Sequence, residues 1–212
     1  MTHLRTTLTR LALVAALLTP AACGAGERGS GEPEDEAGQS EPEETVYQGV
    51  LTVLENEEHG PQLAAVVAQS YPPQGGGMDV DGWDWEAVEH EEAAGTRWGM
   101  YLVTGAFNGD ALELTEEPIP ADEIDMSDHP HLEPTEPELP EPAEELTEAE
   151  LQGIVADLSE RFPALVHGGR PDTAHGVALI DATLVPPELE SYAARTHPEG
   201  TVVFVPVMRP AP

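Results

Sequence analysis

The chain has 212 residues and one cysteine, and its 41 acidic against 8 basic residues give a formal net charge of −33. All of these basic residues are arginine, and since lysine is missing, a Walker-type phosphate-binding loop and Schiff-base catalysis are excluded. The acidic excess repels nucleic acid and anionic lipid surfaces, which proteins bind by neutralising negative charge with Lys and Arg, so no nucleic-acid partner is expected.

Residues 1–23 are predicted to be a signal peptide that ends at the only cysteine. An arginine-bearing start is followed by an apolar run at 11–18, which is far shorter than the roughly 20 residues that span a bilayer. Cys23, between two alanines and a glycine, resembles the lipobox of bacterial lipoproteins, although Pro20 stands where that motif usually has leucine. The resemblance implies that Cys23 is lipidated and becomes the first residue of the mature chain. The alternative is an ordinary signal peptide that is cut nearby.

A lone cysteine cannot close an intrachain disulfide in the oxidising compartment that export implies. Lipid attachment is therefore the most economical use of Cys23. Lipoprotein processing supplies at least two acyl chains, by the same resemblance, and two chains are what stable anchoring requires.

Two acidic segments are predicted to have no fold of their own. Residues 24–44 are Gly, Ser, Pro and Glu with almost nothing apolar, so they cannot bury enough surface to offset the entropy cost of ordering. They are interpreted as a disordered acidic tether. Residues 117–145 are rich in proline and glutamate and are interpreted as a stiff, self-repelling linker.

Residues 45–116, between these two segments, are predicted to form a small antiparallel β domain, for which a partly open barrel is one possible form. Val- and Leu-rich runs at 46–54 and 62–70 are bounded by turn-forming residues. A further strand at 98–107 is followed by Asn108 and Gly109 and by a return strand at 110–115, and the Asn-Gly pair is typical of a tight hairpin.

Residues 146–212 are predicted to form a compact α-β-α-β unit, which makes the whole chain α+β. Thr147 and Glu150 form a capping box at the start of a helix that ends before Pro163. A strand at 177–185, a short helix at 187–195 and a strand at 201–208 follow. Because proline cannot donate to a ladder of hydrogen bonds, Pro206 in the last strand predicts a position at the edge of a sheet.

Several stretches of the chain resemble an uncharacterised group of exported proteins of high-GC Gram-positive bacteria. They are GVLTVLENEEHGPQL, SYPPQGGGMDVDGWDWEAVEHEE, RWGMYLVTGAFNGDALELTEEP and the later VMRP. The resemblance covers most of 45–116 and, more loosely, 146–210. It implies export and a shared fold, and it brings no activity. Members of the group carry cysteines at the positions of Ala64 and Gly75, which implies a disulfide that this chain lacks.

Three tryptophans, Trp83, Trp85 and Trp98, are the candidate ligand-binding residues. Trp83 and Trp85 are two positions apart and would share one face of an extended segment. Together with Trp98 they could form a stacking platform for a sugar or a peptide. The alternative is that a domain of this size needs these large side chains in its core.

No metal, cofactor or catalytic residue is predicted. The run 125–133 (DMSDHPHLE) offers enough oxygen and nitrogen ligands for a divalent metal. Pro130 and the prolines around the run provide no rigid frame for a metal site, so a solvated acidic linker is the preferred interpretation. The acidic run 79–86 (DVDGWDWE) has its glycine too early for a calcium-binding EF-hand loop. His90 begins a partial H-E-x-x-H zinc motif, but Ala94 stands at the position of the second histidine.

The sequence therefore predicts an exported protein, anchored by lipid on Cys23 at the outer face of the cell membrane or otherwise extracellular, that binds a protein or carbohydrate partner. The alternative is a hydrolase-like envelope enzyme, because a Ser-His-Asp site has no required order along a chain. An exposed groove that contains all three tryptophans would favour binding. A pocket that joins His167 or His175 to a carboxylate and a hydroxyl would favour catalysis.

The lipid anchor is tested by the intact mass of the protein extracted with detergent from its cell envelope. We expect a mass that begins at Cys23 and includes acyl chains, and we expect Cys23→Ala to lose both the added mass and the membrane association. An unmodified protein that is free in the medium would contradict the anchor.

Overall fold

The computed structural model describes residues 45–212, so the predictions on the signal peptide, Cys23 and the tether at 24–44 lie outside the described residues. All of the described residues belong to one compact unit. They form mostly strands and two α-helices, which confirms a small mixed α+β fold with predominantly antiparallel sheets.

The described strands fall into three sheets. In chain order they are β1 (Val46–Glu55), β2 (Gln62–Ala64), β3 (Val67–Ala68), β4 (Gln74–Gly75), β5 (Met78–Asp81), β6 (Glu91–Ala93), β7 (Thr96–Phe107), β8 (Ala111–Leu114), β9 (Ile119–Pro120), β10 (Val166–Asp172), β11 (Val177–Ala182), β12 (Val202–Pro206) and β13 (Arg209–Pro210). The helices are α1 (Glu148–Arg161) and α2 (Pro187–Thr196). Between residues 45 and 212, neither helix has the length and apolar character that crossing a membrane requires.

The largest sheet contains a closed circuit of five strands. β1 pairs along its whole length with β7, from Val46 opposite Ala106 to Glu55 opposite Arg97. On its other edge β1 pairs with β2, and the circuit returns to β7 through β5 and β8. The β5–β8 pairing is parallel and the other four are antiparallel. The predicted β7–β8 hairpin is present, and Gly109 takes a φ of 110° in its turn, a conformation that glycine adopts without strain.

The second sheet has the order β10-β11-β12 and lies next to α1. The predicted capping box at Thr147 and Glu150 is confirmed. The predicted α-β-α-β order needs correction, because β10 follows α1 and pairs with β11. Its sequence VHGGRPD contains two glycines and a proline, which are depleted in strands and conceal the strand from a propensity argument. β12 is an edge strand within this sheet and pairs in parallel with β11, in agreement with the position predicted from Pro206.

The segment at 117–145 also needs correction, because its first half is ordered against the large sheet. β9 pairs with β7, and three short 3₁₀ turns follow it. The ring of His129 lies 2.9 Å from the side-chain oxygen of Gln48 on β1. Arg209 donates hydrogen bonds to the carbonyl oxygens of His131 and Glu133. The strand pairing and the hydrogen bonds stabilise the ordered conformation of this segment, which has few apolar residues to bury.

Residues 45–116, the first half of the described chain, and residues 146–212, the second half, share one hydrophobic cluster. Its buried members include Leu51 and Tyr101 from the first half and Leu158 and Leu184 from the second. The pairing of β13 with β1 brings the C-terminal end of the chain next to this cluster, which includes Met208. Met208, just before β13, packs closely on Gly49. A Cβ atom at position 49 would lie only 2.8 Å from the Cγ atom of Met208.

This shared cluster predicts that both halves unfold in one cooperative transition. Leu158 on α1 is fully buried, and Leu158→Ala is expected to cost about 2–5 kcal/mol of unfolding free energy because it leaves a cavity. Tryptophan fluorescence, which reports only on residues 83–98, and far-ultraviolet circular dichroism should shift to the same new midpoint.

Gln152→Ala, at an exposed position of the same helix, serves as the control and should change stability by less than about 0.5 kcal/mol. If Leu158→Ala moved the helical signal and left the fluorescence midpoint unchanged, the two halves would be energetically independent.

Candidate functional site

Trp83 and Trp85 contribute to the core of the large sheet. The ring centroids of Trp83 and Trp85 are 5.3 Å apart, and Trp83 also stands edge-on to Tyr101 at 5.0 Å. Trp85 is only 4% exposed and Trp83 is partly buried. Edge-to-face packing of this kind adds to the stability that burial itself provides.

Trp98 lies in a different cluster, with Leu54 and Ala64. It is 8% exposed and is covered edge-on by the ring of Tyr71, at a centroid distance of 5.5 Å. Tyr71 itself is 75% exposed. The structure therefore brings together two of the three predicted ligand-binding residues, and the three indoles do not line one exposed groove.

An ion pair holds the outer edge of the tryptophan cluster. Glu55 accepts a hydrogen bond from the indole nitrogen of Trp85 at 2.7 Å and from the Arg97 guanidinium with its other oxygen. The Arg97 guanidinium also lies over the Trp85 ring, 5.6 Å from its centroid. Because both charged side chains are partly exposed, at 37% and 23%, the ion pair itself contributes little, and its main effect is to orient Trp85.

The histidines and carboxylates of residues 125–133 do not form a metal site. Among residues 45–212, no group of three or more His, Cys, Asp or Glu side chains is arranged to hold a metal ion. Asp125 instead accepts hydrogen bonds from the backbone and hydroxyl of Ser127, which lower the pKa of its carboxyl group. The acidic run at 79–86 is likewise outside any such group.

His175 lies in a pocket of about 490 Å³ that also contains carboxylates and a hydroxyl. Glu144, Glu145 and Thr173 line the same pocket, and the His175 ring is 2.9 Å from Asp172. The hydrogen bond from His175 lowers the pKa of Asp172. Asp172 also accepts hydrogen bonds from two backbone amides in the turn that follows it, as an aspartate that begins a turn commonly does.

His167 on β10 lies near the carboxylate of Asp181, and no hydroxyl group of residues 45–212 is hydrogen-bonded to its ring. Partial desolvation of its imidazole lowers its pKa, although the residue as a whole is exposed, and nearby Asp181 opposes that shift. In the part of the chain that the structure describes, no hydroxyl group forms a hydrogen bond with the ring of His167 or of His175.

A groove between α2 and β12 is a feature that the sequence analysis missed. It has a volume of about 480 Å³, and we call it the α2–β12 groove. It is lined by one face of α2, by the loop that follows α2 and by two alternate residues of β12. The lining residues are Glu190, Ala193 and Ala194 on α2, residues 198–200 in the loop, and Val202 and Phe204 on β12.

The C-terminal end of α2, next to the groove, contacts α1. His197, at the C-terminal cap of α2, places its Nε2 atom 3.0 Å from a carboxylate oxygen of Asp157 on α1, although the ring nitrogen does not point along a hydrogen-bonding direction. The Tyr192 hydroxyl donates to the same carboxylate at 3.2 Å. These contacts hold the loop at 198–200 in place beside β12.

Comparison with known proteins provides no additional information on the site. No protein-family model, no curated protein and no solved structure matches this chain. Signals for the groove are nevertheless present in the sequence: proline at the start of α2, alanines at 193 and 194, and an edge strand marked by Pro206. They concern separate elements, so only the fold reveals that they meet.

The buried phenol of Tyr101 provides a test of the aromatic core. Its hydroxyl donates a 2.6 Å hydrogen bond to the carbonyl of Glu89, and burial raises its pKa to about 12. Because the native state favours the neutral phenol, its contribution to stability is complete below the unfolded pKa of about 10 and is lost as the pH rises towards 12.

We expect the absorbance titration of tyrosinate at 295 nm to contain a transition near pH 12 that Tyr101→Phe removes. A lost transition near pH 10 would instead mean that the Tyr101 hydroxyl is accessible to solvent. Tyr71→Phe is the control, because that ring is exposed.

Proposed function

We propose that this protein is an exported, lipid-anchored module of the cell envelope that acts by binding, and that the α2–β12 groove is its binding site. The observation that carries the proposal is the groove itself: an apolar floor at the edge of a sheet, next to a short-chained helix face. Concave sites with an apolar lining and a few polar groups are the usual form of a binding site.

Export and anchoring are supported by the N-terminal sequence and by the resemblance to exported proteins. The signal layout at 1–23 ends at Cys23, the residue proposed to carry the lipid. The acidic, proline-containing segment at 24–44 would then hold the folded unit away from the membrane surface. The groove would face partners at the outer side of the cell membrane.

We further propose that the five-strand circuit is a small barrel that serves as the scaffold. Five-stranded Greek-key barrels bind oligonucleotides and oligosaccharides in other proteins. A net charge of −33 opposes the first of these ligands. Since a fold by itself does not determine function, the barrel supports a binding role without identifying the partner.

A hydrolase-like enzyme is the second candidate, and the pocket at His175 favours it. Asp172 and His175 have the carboxylate–imidazole contact of a general base, and Thr173 supplies a hydroxyl in the same pocket. However, the His175 side chain is 56% exposed, and the Asp172 contacts are those of an ordinary turn. Binding in the α2–β12 groove is therefore the better-supported function.

A selection from random 12-residue peptides displayed on phage, against the exported chain carrying Cys23→Ser, tests the proposal. We expect selected peptides whose affinity falls by at least about tenfold in Ala194→Trp, because the new indole fills the groove from an exposed position of α2. Ala156→Trp is the matched control, since Ala156 is an exposed alanine of α1 that is outside the groove.

Selected peptides that bind both variants equally well would place binding elsewhere and contradict the groove. The second candidate would instead be favoured if a fluorophosphonate probe labelled Thr173 in the unmodified chain and not in His175→Ala.

A further inference from the structure

We propose that the ligand of the α2–β12 groove is an extended, basic peptide segment that adds to the free edge of β12 as a further strand. This inference rests on the proposed function of the groove and specifies its partner. Addition of a strand to an open sheet edge is a recurrent mode of peptide recognition, in which main-chain hydrogen bonds provide affinity and side-chain pockets provide selectivity.

The backbone of β12 leaves hydrogen-bonding groups on the edge that faces away from β11. Thr201 accepts a hydrogen bond from Ala178, and Val207 donates one to Ala182, so these odd-numbered residues direct their backbone groups towards β11. Because successive residues of a strand alternate in direction, Val202 and Phe204 direct their N–H and C=O groups to the opposite edge. Within residues 45–212, β12 pairs with no strand other than β11.

The same two residues also line the groove with their side chains. Val202 and Phe204 are partly buried and form its floor, while Ala193 and Ala194 form the facing wall on α2. An added strand would therefore continue the sheet beyond β12, and its side chains on the α2 side of the sheet would point into the groove. The small alanine side chains leave room for a long side chain of the peptide.

The charged groups that line the groove select for a basic peptide. Glu190 on α2 and Glu199 in the loop are the two ionisable lining residues, and both are exposed. Arg195, in the last turn of α2, is exposed and is not among the lining residues. An apolar floor between two carboxylates suits arginine or lysine, whose aliphatic stem can be buried while its charged end reaches a carboxylate.

Pro206 limits the length of the free edge. It has no N–H to donate, so β12 offers backbone donors on this side only at Val202 and Phe204. A short peptide segment is thus sufficient to use all of them.

The test uses nine-residue peptides with blocked ends in which valine alternates with arginine, or with glutamate as the matched control. Binding is measured with the exported chain carrying Cys23→Ser, and hydrogen exchange is followed at each backbone amide. We expect the arginine peptide to protect the amides of Val202 and Phe204 and the glutamate peptide not to do so. Glu190→Gln combined with Glu199→Gln should weaken binding by between about twofold and tenfold at low salt.

Two controls separate strand addition from diffuse attraction to an acidic protein. Glu160→Gln combined with Glu188→Gln removes two charges from exposed positions that are outside the groove, and it should weaken binding less than the variant at Glu190 and Glu199 does. Two arginine peptides that carry N-methyl groups on opposite alternate sets of residues should differ in affinity, because only one set faces β12. These two peptides leave the fold of the protein unchanged.

Equal affinity of the two N-methylated peptides, or equal effects of the two double variants, would overturn the proposal. If the glutamate peptide protected Val202 and Phe204 as well, the groove would still be a peptide-binding site and the basic partner would be wrong. The amides of Val202 and Phe204 could also be protected when no peptide is added. If that protection disappeared on dilution of the protein, the occupant of the groove would be a second copy of the chain, and the proposal would be overturned. If the phage selection also yielded no peptide that depends on the groove, the proposed function of the groove as a binding site would be wrong.

Discussion

The fold depends on β1, because both edges of this strand are used. One edge pairs with β7 over its full length, while the other holds β2 at one end and β13 at the other. The first two pairings close the five-strand circuit, and the third attaches the C-terminal end of the chain to the first half. The attachment requires Gly49, since any larger residue there would meet Met208. β1 is therefore the element through which the two halves share a core.

The described tryptophans serve the stability of the fold. Trp83 and Trp85 pack with Tyr101. Glu55 accepts hydrogen bonds from both Trp85 and Arg97, and this arrangement orients the Trp85 indole. A chain with 5% aromatic residues has few such side chains, and the described core takes most of its indole surface. In the proposed function, binding therefore uses other groups: the small side chains, the open strand edge and the two carboxylates of the α2–β12 groove.

The charge of the protein affects how the proposed partner would approach it. A net charge of −33 creates a long-range field that attracts cationic partners and repels nucleic acid. Such attraction is diffuse and is screened by salt, so it raises association rates without selecting a sequence. In the proposed function, selectivity comes from the backbone groups of Val202 and Phe204 and from the positions of Glu190 and Glu199 around the groove.

The sequence by itself determined the elements that have local signals: β1, the β7–β8 hairpin, α1 with its capping box, α2, and the edge position of β12. These signals lie within a few residues of one another, so they need no knowledge of the fold. Only the tertiary structure decided that the first half of 117–145 packs on the large sheet, that β10 exists despite its glycines and proline, and that the tryptophans divide between two clusters. The groove belongs to this second class. It exists because the parallel β11–β12 pairing brings the edge of β12 beside α2, and a pairing between distant segments leaves no periodic mark on the chain.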